Sequence, residues 1–309
     1  MPYKFTSDPA EFIQPLNINR LDGRVLRLPA PSARRNREML VLYGHHSSLE
    51  RMYALAAEFN RYGPVTMPDW PGLGGMDSMF SIGKKPTIEA MADYLAAFVK
   101  LRYRRRRFTI VGISYGFAVA TNMVQRYPEL AAKVDFMVSI AGFVRYDDFR
   151  FKPKQFKLMR STTRLFKSRL PSAVARGVIN GYTVQKAYTL LADKNAKMKD
   201  ATPEQLKERI KFEKQLWRIN DMRTHFFTAN SMFKIDLCDK QVALPAYHVA
   251  VQNDQYLNNA LVEQHLAVIY SSVSVIDIRL DAHMPTIVAT PKEVAPFIPN
   301  KLRRLLAAA

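Results

Sequence analysis

Short apolar runs alternate along the chain with longer segments whose apolar residues recur at helical spacing. Met39-Leu40-Val41-Leu42 is the centre of a strand over Glu38 to Tyr43. Met52, Leu55, Ala56 and Phe59 then line one face of a helix from about Leu49 to Tyr62. A strand from Pro64 to Met67 runs into a loop punctuated by proline and glycine, Pro68 to Gly75. Thr87 is placed to cap a helix reaching about Tyr103, with Ile88, Met91, Leu95 and Phe98 on one side. Phe108-Thr109-Ile110-Val111 is a buried strand, and a helix opens just beyond Ser114 and runs to about Tyr127, where Pro128 ends it. A further strand spans Val134 to Ala141.

Past Phe143 the alternation stops. Tyr146 to about Lys240 is long, basic and helical. Alternation resumes with a strand at Pro245 to Val251, a helix at Leu261 to Ile269, a strand at Val273 to Leu280 and a last helix within Pro291 to Leu306. This order predicts an α/β fold, a mostly parallel sheet flanked by helices. Residues 1–145 and 241–309 form its core, and residues 146–240 form a helical insertion.

Composition narrows the class. Of the 309 residues, 48% are hydrophobic and 24% charged, which excludes a largely disordered chain. Cys238 is the single cysteine, so neither an intrachain disulfide nor a multi-cysteine metal site is available, and it is read as a packing residue. Met1 to Leu21 carries Asp8 and Glu11 and no long apolar run, unlike a signal peptide. No stretch approaches the roughly 18 apolar residues of a membrane span. The expected location is cytoplasmic.

The chemistry concentrates at Gly112-Ile113-Ser114-Tyr115-Gly116, which follows a strand and opens a helix, the context of a nucleophile elbow. Glycines flank a turn too tight for larger side chains, and Ser114 is lifted above the sheet. A serine hydroxyl is a weak nucleophile and needs a base, which in turn needs an orienting acid. Of six histidines, His283 lies just past the last strand, where such sheets present reactive groups. His248 falls within a strand, His265 on a helix and His225 in the insertion. Asp254, also just past a strand, is the expected acid; Asp147, Asp148 and Asp281 are its competitors. The order Ser, Asp, His matches this fold. The backbone N–H groups of Tyr115 and of His45, the latter after the sharp turn at Gly44, are the expected oxyanion donors. His45 and His46 lack a nearby carboxylate cluster, so no metal is expected. Gly72-Leu73-Gly74-Gly75 lacks the Lys-Ser/Thr ending of a phosphate-binding loop and is read as a turn.

Together these motifs resemble the α/β-hydrolase superfamily, in the branch with a helical cap. Tyr43-Gly44 looks like its His-Gly oxyanion loop with tyrosine replacing histidine, Asp69 to Gly75 like its D-x-P-G-x-G loop, and Gly112 to Gly116 like its elbow. The resemblance runs from about Glu38 to Ile298, apart from the insertion's detail. It implies a serine hydrolase of the esterase or lipase kind, cleaving a carboxylic ester through an acyl-enzyme without a cofactor. Amides, thioesters and a carbon–carbon bond beside a ketone are alternative substrates. A non-catalytic hydrolase-fold protein that binds a ligand or a membrane is the alternative from another class.

Charge adds one question. The formal net charge is +19, which favours anionic partners without specifying a fold. Arg150 to Arg169 is basic throughout, with Phe156, Met159, Leu165 and Phe166 placed to share one side of a helix. Such a helix lines a pocket with its apolar side and carries solvated lysines outside; the same pattern suits an anionic membrane surface. Arg104 to Arg107 precede the nucleophile strand and so sit at the opposite end of the sheet, and no nucleic-acid-reading motif accompanies them.

Overall fold

Every residue of Glu38–Leu42 (β3) and Phe108–Ile113 (β5) is buried, as apolar runs without alternation demand when both faces of a strand are covered. These two strands pair in parallel, Leu42 opposite Gly112, and form the middle of an eight-stranded sheet. The computed structural model describes residues 8–32, 37–190, 202–280, 283 and 291–308. The remaining strands are Ile13–Ile18 (β1), Leu21–Leu28 (β2), Val65–Pro68 (β4), Val134–Ile140 (β6), Val242–Val251 (β7) and Tyr270–Ile278 (β8). Their spatial order is β1-β2-β4-β3-β5-β6-β7-β8, with β3 to β8 parallel.

Helices Leu49–Asn60 (α1), Ile88–Arg102 (α2), Tyr115–Arg126 (α3) and Pro128–Ala131 (α4) connect the first parallel strands. Between β6 and β7 lie Pro153–Phe166 (α5), Arg169–Val178 (α6), Gly181–Leu190 (α7), Pro203–Ile219 (α8) and Met222–Met232 (α9). Asn259–Ile269 (α10) joins β7 to β8, and Pro291–Val294 (α11) and Asn300–Ala307 (α12) follow. Thr87 caps α2 as its position predicts, its side chain accepting the N–H of Ala90 at 3.2 Å. From β3 the chain moves to β4 on one side, then to β5 on the other. That reversal opens a crevice at the carboxyl ends of β3 and β5.

Four elements differ from the sequence reading. β1 and β2 form an antiparallel hairpin on the sheet edge, joined through Asn19 and Arg20 at φ 53° and 65°. Positive φ at both turn residues matches the twist of a two-residue hairpin, but without glycine the turn has a weak sequence signature. Pro128 does more than end a helix: it is the first residue of α4. The last helix is broken into α11, a 3-10 turn at Ala295–Phe297 and α12, as Pro296 and Pro299 require. On α5 the expected apolar side divides: Phe156 and Phe166 turn inward onto Phe233 and Phe226, with ring centroids 5.4 Å and 5.2 Å apart, whereas Leu165 is 58% exposed.

Candidate active site

Ser114 stands at φ 48°, ψ −118°, between the last residue of β5 and the first of α3. A non-glycine residue tolerates that conformation only when its surroundings hold it there. Both flanking glycines are demanded by contact. A Cβ on Gly112 would lie 2.5 Å from the Cα of Phe117, and one on Gly116 would lie 2.3 Å from the carbonyl oxygen of Leu42. The Ser114 N–H donates to Ile140 O at 3.1 Å, tying the elbow to β6. As the first residue of α3, Tyr115 carries one of the helix N–H groups that have no partner inside the helix.

Asp254 follows β7 and is 1% exposed. Its Oδ1 accepts the N–H of Tyr256 at 2.7 Å and of Leu257 at 3.2 Å, while Oδ2 lies 2.5 Å from Nδ1 of His283. The two backbone donors fix the carboxylate as an acceptor. A proton on His283 Nδ1 therefore points at Asp254, which leaves Nε2 as the free ring nitrogen of the neutral imidazole. Ser114 and His283 line one cavity of about 280 Å³, together with Gly44, His45, Arg51 and Tyr256. Phe143, Phe149, Phe151, Met159 and Phe233 give the cavity an apolar wall.

The turn after β3 approaches the elbow closely: a Cβ on Gly44 would lie 3.2 Å from the Cβ of Ser114. The tyrosine at position 43 has a structural account. Its hydroxyl donates to Asp69 Oδ1 at 2.8 Å and accepts the N–H of Trp70 at 2.9 Å, while its carbonyl accepts the Trp70 indole N–H at 2.9 Å. Asp69 is fully buried and its Oδ2 accepts from Arg24 Nε at 2.9 Å. Burial pushes the Asp69 carboxyl up to about 7 against the pull of Arg24. The glycines at 72, 74 and 75 have φ of 79°, 66° and 97°, as a turn of this kind requires.

His45 is held from the inserted helices. Its Nε2 lies 2.9 Å from Thr228 Oγ1 and 3.1 Å from the carbonyl of His225. A carbonyl only accepts, so Nε2 carries the proton. Burial and the neighbouring His46 pull the His45 pKa down to about 3, keeping the ring neutral. His225 packs against it and His46 against His225, the His45 and His225 ring centroids being 4.5 Å apart and those of His46 and His225 5.0 Å. Asn220 links the insertion to both loops, accepting Gly74 N–H at 2.8 Å and lying 3.2 Å from His46 Nδ1.

The other candidate groups lie elsewhere. His248 is buried in β7 with Nδ1 2.9 Å from Ser139 Oγ. Asp148 is buried, accepts Val144 and Arg145 N–H groups, and lies 2.6 Å from His265 Nδ1, a pair that does not line the Ser114 cavity. Asp147 is half-buried beside Arg145 at 3.4 Å, and Asp281 lies outside the described residues. Arg106 and Arg107 pair with Glu38 and Asp135 at 2.7 Å and 2.6 Å, at the far end of the sheet. Sequence reasoning missed Arg51, a buried guanidinium in the cavity wall whose NH1 donates to His46 O at 3.1 Å. It lies on the buried face of α1, where periodicity marks only apolar positions.

This sheet order and elbow define the α/β-hydrolase fold, and solved structures bear it out. The chain is similar to a hydrolase from Oleispira antarctica (TM-score 0.65, 12% identity, covering 92% of this chain and 94% of that one). It is also similar to a bacterial membrane phospholipase A described as a virulence factor (0.64, 16%, 96% and 87%) and to the epoxide hydrolase CorEH (0.62, 13%, 96% and 95%). No protein-family model and no curated protein matches the chain.

Proposed function

We propose that this protein is a serine hydrolase that cleaves a carboxylic ester through an acyl-enzyme. The observation that carries the reading is the 2.5 Å contact of His283 with Asp254 beside a cavity that His283 shares with Ser114 at its strained elbow.

In this reading Ser114 Oγ attacks the carbonyl carbon as His283 Nε2 takes its proton, and Asp254 stabilises the imidazolium. The backbone N–H groups of His45 and Tyr115 receive the oxyanion. The proton passes to the leaving alcohol, and water activated by His283 then releases the acid. Solved neighbours include both a phospholipase and an epoxide hydrolase, and the elbow residue favours acyl chemistry. Serine attack on an acyl group leaves an ester, which water cleaves; attack on an epoxide would leave an unreactive ether. The apolar wall of the cavity suits an acyl chain.

The test is labelling by a fluorophosphonate probe together with turnover of p-nitrophenyl esters of increasing chain length. The parent is expected to label and to turn over esters. Ser114→Ala and His283→Ala should lose both, with kcat down by on the order of 10⁴-fold or more. A folded parent that neither labels nor turns over any ester would refute the reading and leave a non-catalytic binding protein.

A further inference from the structure

The segment that supplies one wall of the cavity also carries the protein's charge. From residue 149 to residue 190 there are ten lysines and arginines and no acidic residue, more than half of the +19 net charge. Lys154, Lys157, Arg160, Arg164 and Arg169 are all exposed. The same stretch exposes large apolar side chains. On α6, Leu170, Val174 and Val178 are 79%, 65% and 61% exposed. Their four-residue spacing puts them on one face of the helix. The opposite face, with Ser172 and Ala175, is buried. On α5, Leu158 and Leu165 stand seven residues apart, two turns along one side, and are 67% and 58% exposed. Thr163 and Phe166 of α5 contact Asn230 and Phe226 of α9, so these two leucines turn away from the protein.

We propose that the outward faces of α5 and α6 dock this protein on an anionic lipid bilayer. Lysines and arginines alone would suit any polyanion, but nucleic acid offers nothing to a stripe of leucine and valine. At a bilayer surface the apolar stripe enters the headgroup–acyl boundary while the cations meet anionic headgroups. A second copy of the chain would bring the same uncompensated positive face, which opposes self-association there. Docking sets α5 against the lipid, and α5 also contributes Met159 to the cavity that holds Ser114. Binding itself does not depend on the hydrolase reading.

The experiment is co-sedimentation of the full chain with vesicles of phosphatidylcholine alone or mixed with phosphatidylglycerol, at low and high salt. Selective binding to the mixed vesicles, weakened by salt, is expected. Lys157→Glu/Arg164→Glu should lower partitioning roughly tenfold or more. Leu170→Asp/Val174→Asp should lower it by a similar factor even at low salt, with circular dichroism and melting like the parent because both residues are exposed. Arg104→Glu/Arg105→Glu, on the far end of the sheet, should bind as the parent does. Three results would overturn the proposal: a folded parent that binds neither vesicle, equal loss with the Arg104/Arg105 pair, or a dimer in solution that the Leu170/Val174 pair dissociates. Ser114→Ala should bind vesicles normally, which separates this question from catalysis.

Discussion

Tyr43 gives its hydroxyl proton to Asp69 and takes the amide proton of Trp70, so one side chain joins the turn after β3 to the glycine-rich loop after β4. Neither partner has water to fall back on, since Asp69 and Trp70 are fully buried. Tyr43→Phe keeps the ring and removes both bonds. It is expected to cost about 2 kcal/mol in urea unfolding, the desolvation of groups left unpaired. If the His45 N–H holds the oxyanion, the same change should lower kcat more than it raises KM in ester turnover, because the turn that positions the donor loosens. An unchanged unfolding midpoint would show that the tyrosine hydroxyl holds nothing together.

At the scale of elements, the inserted helices are fastened to the core by a few polar contacts beside the candidate site. Asn220, between α8 and α9, meets Gly74 and His46 through its side chain, and its carbonyl accepts from Arg176 of α6. The next residue, Asp221, donates its N–H to Gly72 O at 2.8 Å and caps α9 by accepting the N–H of Thr224 at 2.7 Å. Asn220→Ala should free the amide of Gly74 and cost about 1–2 kcal/mol locally. Limited proteolysis should then cut residues 146–240 faster than in the parent, while hydrogen exchange in β5 and β6 stays as slow as before. Uniformly faster exchange would mean that the helices and the sheet unfold as one unit.

For the whole molecule, three buried histidines lead the response to acid, and the raised carboxyl of buried Asp69 works against them. Burial lowers His248 from 6.5 to about 4 and His45 to about 3, and holds His225 well below its ordinary value. Each therefore stays neutral in the folded protein while its unfolded counterpart takes up a proton below about 6.5. Their contribution is complete above that pH and is lost as pH falls from 6.5 towards 4. His248 alone accounts for about 3 kcal/mol over that range. Urea midpoints should fall between pH 7 and pH 4.5, by less than the three histidines alone would give because Asp69 takes up its proton more readily when folded, and His248→Asn should shrink that slope. A midpoint that does not move with pH would mean that these rings are not held neutral.

The central strands β3, β5 and β6 were legible because a strand covered on both faces needs a continuous apolar run, a property of neighbouring residues alone, whereas the edge strand β8 mixes exposed and buried positions and was read only from Val273 on. The elbow was legible for the same reason: its glycines answer a local steric demand, as the contacts of Gly112 and Gly116 with Phe117 and Leu42 bear out. The basic, acid-free stretch from 149 to 190 could be counted directly. Other features depended on residues far apart in the chain. The β1–β2 hairpin is half exposed and joins the sheet through β4, some forty residues on. Sequence put Asp254 ahead of Asp148 as the acid by its place past a strand end, but only folding sets one against His283 and the other against His265. That Phe166 of α5 faces inward was decided by α9, sixty residues later. Periods and turns belong to the local chain, whereas pairings between distant polar groups, and the faces that packing leaves open, exist only once the tertiary structure has formed.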